Sequence, residues 1–135
     1  MRRVAVLHDN APRDGLPLVL SACTALAQGD SAPLVGLLAP EVEWWSQGVR
    51  LHRGPEVAAR RFERFPHGVQ VTGIRKGANV VVLEFSRPWW KRGRVLHAIE
   101  SSLGLRADLA LWFREDGAIR KIETREHVVQ RPASA

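Results

Sequence analysis

A carboxylate inside an apolar segment is the first residue that could do chemistry. Glu84 lies in Val80–Phe85, where every other residue is apolar. A carboxyl group that is desolvated by burial has its pKa raised, and it can then exchange protons near neutral pH. Glu84 is therefore a candidate general acid or base. In the alternative, Glu84 points outward or pairs with an arginine such as Arg87 or Arg114.

Histidine and tryptophan supply the next candidates. His52 precedes a predicted helix and is counted with the catalytic groups, whereas His97 lies in a long interruption between predicted strands and is counted with the ligand contacts. Trp44 and Trp112 offer large apolar surfaces with an N–H group that needs a partner when buried, which suits a pocket wall. Packing in the core is the alternative for both tryptophans.

The elements that position these residues begin with two helices. Residues 16–28 are apolar nearly all round, with Pro17 near the start and Gly29 past the end, which predicts a helix buried on all sides. Leu34, Leu37 and Leu38 then recur at helical spacing, which predicts a second, short helix that ends before the next proline.

A third helix is predicted after Gly54. Its apolar face contains Ala58, Phe62 and Phe65, and we expect the charged residues between them to be solvated. These charged residues are Arg60, Arg61, Glu63 and Arg64. The helix should therefore pack on a sheet by its phenylalanine face.

The rest of the chain is predicted to form strands. One strand is expected at residues 41–46, a loop or short edge strand at 48–53, and further strands at 69–76, 79–87, 105–114 and 118–128. Helices followed by hairpin-linked strands indicate an α+β domain with an antiparallel sheet. We expect one domain over residues 1–135, with a core at about 16–128 and a loose tail at 130–135.

Composition and charge limit the compartment and the partners. The first residues are interrupted by polar residues too early for a signal peptide, and no apolar stretch reaches membrane-spanning length, so we expect a cytoplasmic protein. Cys23, the only cysteine, excludes an intrachain disulfide. The net charge of +6 raises the question of a polyanionic partner, although most of the basic residues are arginines, as in GC-rich genomes.

Four segments together carry a family resemblance: ALAQGD at residues 25–30, LLAPEVEW at 37–44, RGPEVA at 53–58 and WFREDGAIRKIE at 112–123. In this order they resemble SnoaL-like domains of the nuclear transport factor 2-like superfamily. The resemblance implies a cone-shaped α+β fold, with three N-terminal helices packed on a curved antiparallel sheet and a pocket at the open end. It also implies a homodimer through the outer face of the sheet. It does not imply one reaction, because this fold hosts several enzyme classes and binding modules.

The resemblance adds candidates on the last strand. SnoaL-like cyclases use an acidic residue on a late strand, and this chain offers Glu126 there, while a solvated glutamate is the alternative. Alternation places Ile122, Thr124 and Glu126 on one face, which we expect to face the cone, with Thr124 as a ligand contact. Ketosteroid isomerase chemistry is not expected, because the chain contains no tyrosine.

Two functions from different classes stay open. The first is a cofactor-free, metal-free pocket that binds, and in the enzyme variant transforms, a small apolar or aromatic molecule. The second is a dimeric interaction module, or a nucleic-acid binder that uses Trp89 and Trp90 with the neighbouring cations for stacking and charge. Nucleic-acid binding is the less favoured of these. Pocket carboxylates would indicate the first function, and a pocket filled by tryptophans the second.

Overall fold

The structure is a computed structural model that describes residues 15–65, 69–87, 89–90 and 105–128. Within this part of the chain there are three helices: α1 (Leu16–Ala27), α2 (Ala32–Gly36) and α3 (Pro55–Glu63). Each has a proline in its first two positions, where the fixed φ is compatible with a helix and the missing N–H costs no helical hydrogen bond. None of these helices is long and apolar enough to span a membrane.

The described strands form one curved sheet. They are β1 (Leu38–Ser46), β2 (Val49–Arg53), β3 (Val71–Lys76), β4 (Val80–Phe85), β5 (Leu105–Phe113) and β6 (Ile119–Val128). Their order across the sheet is β2-β1-β6-β5-β4-β3. The last strand of the sequence therefore lies at the centre of the sheet, beside the first.

The sheet is mixed, which corrects our expectation of an antiparallel sheet. β1 and β6 run parallel, while the remaining neighbours are antiparallel. Short hairpins join three of the antiparallel pairs, and residues 86–104 join β4 to β5. β1 and β6 are joined through most of the chain, so local turn signals do not determine their direction. The order of elements along the chain agrees with the residue-level prediction, since α3 follows the β1–β2 hairpin, but the three N-terminal helices that the resemblance implied are not confirmed, because only α1 and α2 precede the sheet.

Helix α1 is buried on one side only, contrary to the all-round burial that its composition predicted. Val19, Ala22, Cys23 and Leu26 are buried at helical spacing, whereas Leu18 is 55% exposed. An apolar side chain on the open side of a helix is common in folded domains. The helix therefore covers the sheet with a single stripe of side chains.

Strand β1 begins earlier than predicted. Leu38 and Pro40 belong to this strand and not to the second helix. The ladder with β6 is irregular between Leu38 and Glu43, and the ladder with β2 starts only at Glu43. Pro40 lies in this unpaired stretch, where its missing N–H breaks no ladder hydrogen bond.

The sheet has an inner face, which faces the helices, and an outer face. On the inner face Val81, Leu83, Leu109, Leu111 and Ile122 are fully buried in one core with the buried stripe of α1. The alternate residues of the same strands are on the outer face, and those of β4 are half-buried. Their side chains include those of Val80, Val82, Glu84, Asp108, Ala110 and Trp112.

Candidate functional site

The sequence-predicted site residues lie on both faces of the sheet. His52 is paired with Trp44 and Trp44 with Ile122, so all three are on the inner face. Thr124, fully buried, and Glu126, half-buried, follow on the same face, as alternation from Ile122 predicts. His97 lies outside the described residues.

Glu84 and Trp112 lie on the outer face. For Glu84 this is the outward-pointing alternative, and for Trp112 it corrects the expected position in the wall of the cone pocket. The neighbours of Trp112 in β5, Leu111 and Phe113, are buried under the helices, so Trp112 must point away. Arg75 forms ion pairs with two carboxylates: its Nε lies 2.7 Å from Oε2 of Glu84, and its Nη2 lies 3.2 Å from Oδ2 of Asp108. Glu84 is therefore part of an ion-paired outer surface, with an arginine other than those anticipated.

A groove of about 310 Å³ lies on this outer surface. It is lined by Arg75, Val82, Asp108, Ala110, Trp112, Glu123 and Arg125. Glu123, which is 9% exposed, accepts a hydrogen bond from the backbone N–H of Gly48 and lies 3.6 Å from Arg125. The Nζ of Lys121 lies 4.5 Å from the centre of the Trp45 ring and 5.9 Å from that of Trp112. The groove thus combines charges of both signs with indole surfaces.

An aromatic cluster lies on the inner side, and it consists of Trp44, Phe62, Phe65, Phe85, Trp89 and Trp90. Phe62 is fully buried, as predicted for the docking face of α3, and its ring centre is 5.9 Å from that of Trp44 and 5.8 Å from that of Trp89. Trp89 and Trp90 pack edge to face at 5.4 Å. Their stacking surfaces are therefore turned toward the core. Nucleic-acid binding by the Trp89 segment stays an untested prediction, because the neighbouring cations at positions 91, 92 and 94 lie outside the described residues.

The aromatic cluster has a cationic border. Arg61 lies with its guanidinium carbon 4.6 Å from the centre of the Trp44 ring, and its Nη2 is 3.3 Å from Nε2 of His52. A guanidinium has only donors, so His52 must accept this hydrogen bond through an unprotonated Nε2. Burial lowers the pKa of Arg61 from its ordinary value. No described carboxylate lies within ion-pair distance of Arg61.

Glu126 lies at the opposite border of the cluster. Its Oε2 accepts a hydrogen bond of 3.4 Å from Nε1 of Trp90, and its side chain is half-buried. The neighbouring hydroxyl of Thr124 donates to the backbone carbonyl of Trp45 at 3.4 Å, which occupies its only proton. Glu126 is therefore the sequence-predicted carboxylate that the structure places beside aromatic surface.

Sequence reasoning missed Arg61. We assigned it to the solvated face of α3 together with Arg60 and Arg64, which are exposed, but Arg61 is half-buried. The available signal was its position next to Phe62, because a residue adjacent to the buried stripe of a helix lies at its border. In the part of the chain that the structure describes, no three His, Cys, Asp or Glu residues are grouped so that they could hold a metal ion.

Comparison with known proteins identifies the fold. No protein-family model and no curated protein sequence matches the chain. A solved steroid delta-isomerase from Pseudomonas aeruginosa is similar in structure, with a TM-score of 0.59, 20% identity and coverage of 89% of this chain and 81% of that one.

Two further solved structures are similar. An NTF-2 like protein of unknown function from Burkholderia xenovorans has a TM-score of 0.57 at 16% identity, covering 89% of each chain. An LEH-like epoxide hydrolase from M. tuberculosis has a TM-score of 0.50 at 17% identity, covering 84% of this chain and 83% of that one. These likenesses agree with the helices and the curved sheet described above. The chain therefore has the nuclear transport factor 2-like fold.

Proposed function

We propose that the protein binds a small, largely apolar or aromatic molecule on the inner side of the sheet, at the border of the aromatic cluster. One observation carries this proposal: Arg61, His52 and Glu126 keep polar groups half-buried around a continuous aromatic surface. Ligand sites in proteins commonly combine apolar walls with a few polar groups that orient the ligand. Trp89 and Trp90 pack into the cluster, which on the criterion stated above favours the interaction module, but both are half-buried and leave part of each ring at the border for contact with a ligand.

Any transformation of the ligand would fall to Glu126. It is the inner-face carboxylate that contacts the cluster, and a carboxylate can act as a general acid or base without a cofactor. Two of the structural neighbours are an isomerase and an epoxide hydrolase by name. Those names support small-molecule chemistry as the class to test first, although fold alone does not assign a reaction.

A thermal-shift screen of apolar and aromatic compounds tests the proposal, because a ligand that binds the native state raises the melting temperature. The variants are Glu126→Gln and Trp90→Phe, which change the cluster border with little change in size. Glu84→Gln is the matched control, since it alters a carboxylate on the outer face of the same sheet. We expect ligands to stabilise the wild type and the control equally, and the two border variants less.

Two results would contradict the proposal. In the first, no compound stabilises the wild type. In the second, every hit stabilises all four proteins by the same amount, which would place the binding elsewhere. A ligand effect lost specifically in Glu84→Gln would assign the binding to the outer groove instead.

We further propose that the outer face pairs with a second copy of the chain. The face carries half-buried apolar residues that no described helix covers, among them Val80, Val82 and Trp112. The Nε1 atom of Trp112 is buried and has no acceptor among the described residues. The groove contains arginine and carboxylate side chains on one patch, so a two-fold axis that passes between them would place opposite charges against each other.

Light scattering tests the dimer. The wild type should have about twice the chain mass of 15.1 kDa at high micromolar concentration. Trp112→Glu should shift the mass toward the monomer, because it places a charge in the centre of the apolar patch. Thr24→Glu, on the exposed side of α1, is the control and should stay dimeric. A monomeric wild type would refute this proposal.

A further inference from the structure

The hydrogen-bonding groups at one end of the aromatic cluster are nearly all donors. The guanidinium of Arg61 has five N–H groups, and the acceptor that the described residues offer it is Nε2 of His52. Four other arginines, at positions 50, 75, 114 and 125, have a carboxylate within ion-pair distance. A half-buried guanidinium without such a partner is costly, because burial removes the water that would otherwise solvate it.

Two indole N–H groups increase this excess of donors. Trp44 is 2% exposed and Trp89 is half-buried, and the Nε1 atom of each is buried without an acceptor among the described residues. Both rings pack on Phe62, the residue that follows Arg61 in α3. Buried polar groups are normally hydrogen-bonded, and neither indole has an acceptor among the described residues, so donors outnumber the described acceptors at this end of the cluster.

We propose that Arg61 is the anchor for the carboxylate of an aromatic or apolar organic acid, whose body lies against the aromatic cluster. This inference rests on the proposed function and names the class of its ligand. A carboxylate fits because its two oxygens match the paired N–H groups of a guanidinium. The contacts with Trp44 and His52 hold the guanidinium, so little side-chain freedom is lost on binding.

Glu126 determines which end of the cluster the acid group uses. It contacts Trp90, and Trp89 lies between this contact and Phe62, with ring centres 5.4 Å from Trp90 and 5.8 Å from Phe62. A ligand carboxylate near Glu126 would be repelled, whereas one at Arg61 is attracted. The position of Arg61 therefore favours an anionic ligand.

Matched ligand pairs test the inference by calorimetry. The probes are benzoate with benzamide, phenylacetate with phenylacetamide, and cinnamate with cinnamamide, which differ only in the charged group. The variants are Arg61→Gln, which removes the charge, and Arg61→Lys, which keeps it without the paired geometry. Arg64→Gln is the control, because Arg64 is an exposed arginine at the end of the same helix.

We expect at least one acid to bind about tenfold or more tightly than its amide, as for a charge-assisted hydrogen bond. This preference should be seen in both the wild type and Arg64→Gln. The preference should disappear in Arg61→Gln and fall in Arg61→Lys, with unligated melting temperatures confirming that both variants fold. Acids and amides that bind the wild type equally would refute the inference and leave the proposed function standing. The absence of binding by every acid and amide would overturn both, and an acid preference that survives in Arg61→Gln would refute the role of Arg61.

Discussion

Replacing Phe62 by alanine tests how α3 docks on the sheet. The side chain is fully buried between Trp44 and Trp89. Removing a buried phenylalanine ring costs about 3–5 kcal/mol because of lost transfer energy and the cavity that remains. Each aromatic pair adds about 0.5–1.5 kcal/mol beyond burial, so we expect a loss in the upper half of that range, about 4 kcal/mol.

Urea denaturation, followed by tryptophan fluorescence, measures this loss. With an m-value of about 2 kcal/mol per molar, the midpoint should fall by about 2 M. Domains are stable by only about 5–15 kcal/mol, so a loss of about 4 kcal/mol leaves Phe62→Ala with little stability, and Phe62→Leu provides a second measurement with a smaller expected loss. Phe65→Ala is the comparison, since Phe65 is half-buried and follows the end of α3, although the sequence had placed it on the helix.

The reasoning would be refuted by a loss below about 1 kcal/mol for Phe62→Ala, which is typical of a surface substitution. It would also be refuted by a larger loss for Phe65→Ala than for Phe62→Ala. Either result would mean that Phe62 is not the central contact between α3 and the sheet.

Three further predictions concern packing, reactivity and nucleic acid. Gly15→Ala should lower the free energy of unfolding by more than about 2 kcal/mol, because the new Cβ would lie 2.5 Å from the backbone nitrogen of Gly117. Gly36 has open space around it, so Gly36→Ala should change the free energy of unfolding by less than about 1 kcal/mol. Urea melts of the two variants compare these effects. Cys23 should not react with a thiol reagent at pH 8 until the protein unfolds, because burial raises the pKa of its thiol to about 12 and little thiolate forms at pH 8. Fast labelling of the native protein would contradict this prediction. The protein should bind single-stranded nucleic acid negligibly at physiological salt, as titration of a labelled strand would show, because the Trp89-Trp90 pair packs toward the core.

The local pattern of the chain determined the type of most elements. The apolar composition of residues 16–28, with its proline and glycine signals, predicted α1, and the period-two pattern of the last strand placed Ile122 and Thr124 on the buried face. These predictions succeed because helical and strand periodicities depend on neighbours a few residues apart. The candidate Glu126 followed from the same alternation, and its contact with Trp90 is what the fold added.

Tertiary structure alone decided which face of β4 and β5 is covered. Both faces of Val80–Phe85 are apolar except at Glu84, so the pattern does not reveal which set the helices bury. The helices cover Val81 and Leu83, and this leaves Glu84 on the outer face with Arg75. A choice between two apolar faces depends on the elements that pack against them, which the strand's own sequence does not contain.

The cationic border of the cluster was likewise decided by distant residues. Arg61 is half-buried because α3, which carries it, lies over Trp44 and His52. The β1–β2 hairpin brings His52 opposite Trp44. The parallel pairing of β1 with β6 also joins residues from opposite ends of the chain. Contacts of this kind form only when the chain folds back on itself, so periodicity and turn signals predict the elements but not the groups that meet between them.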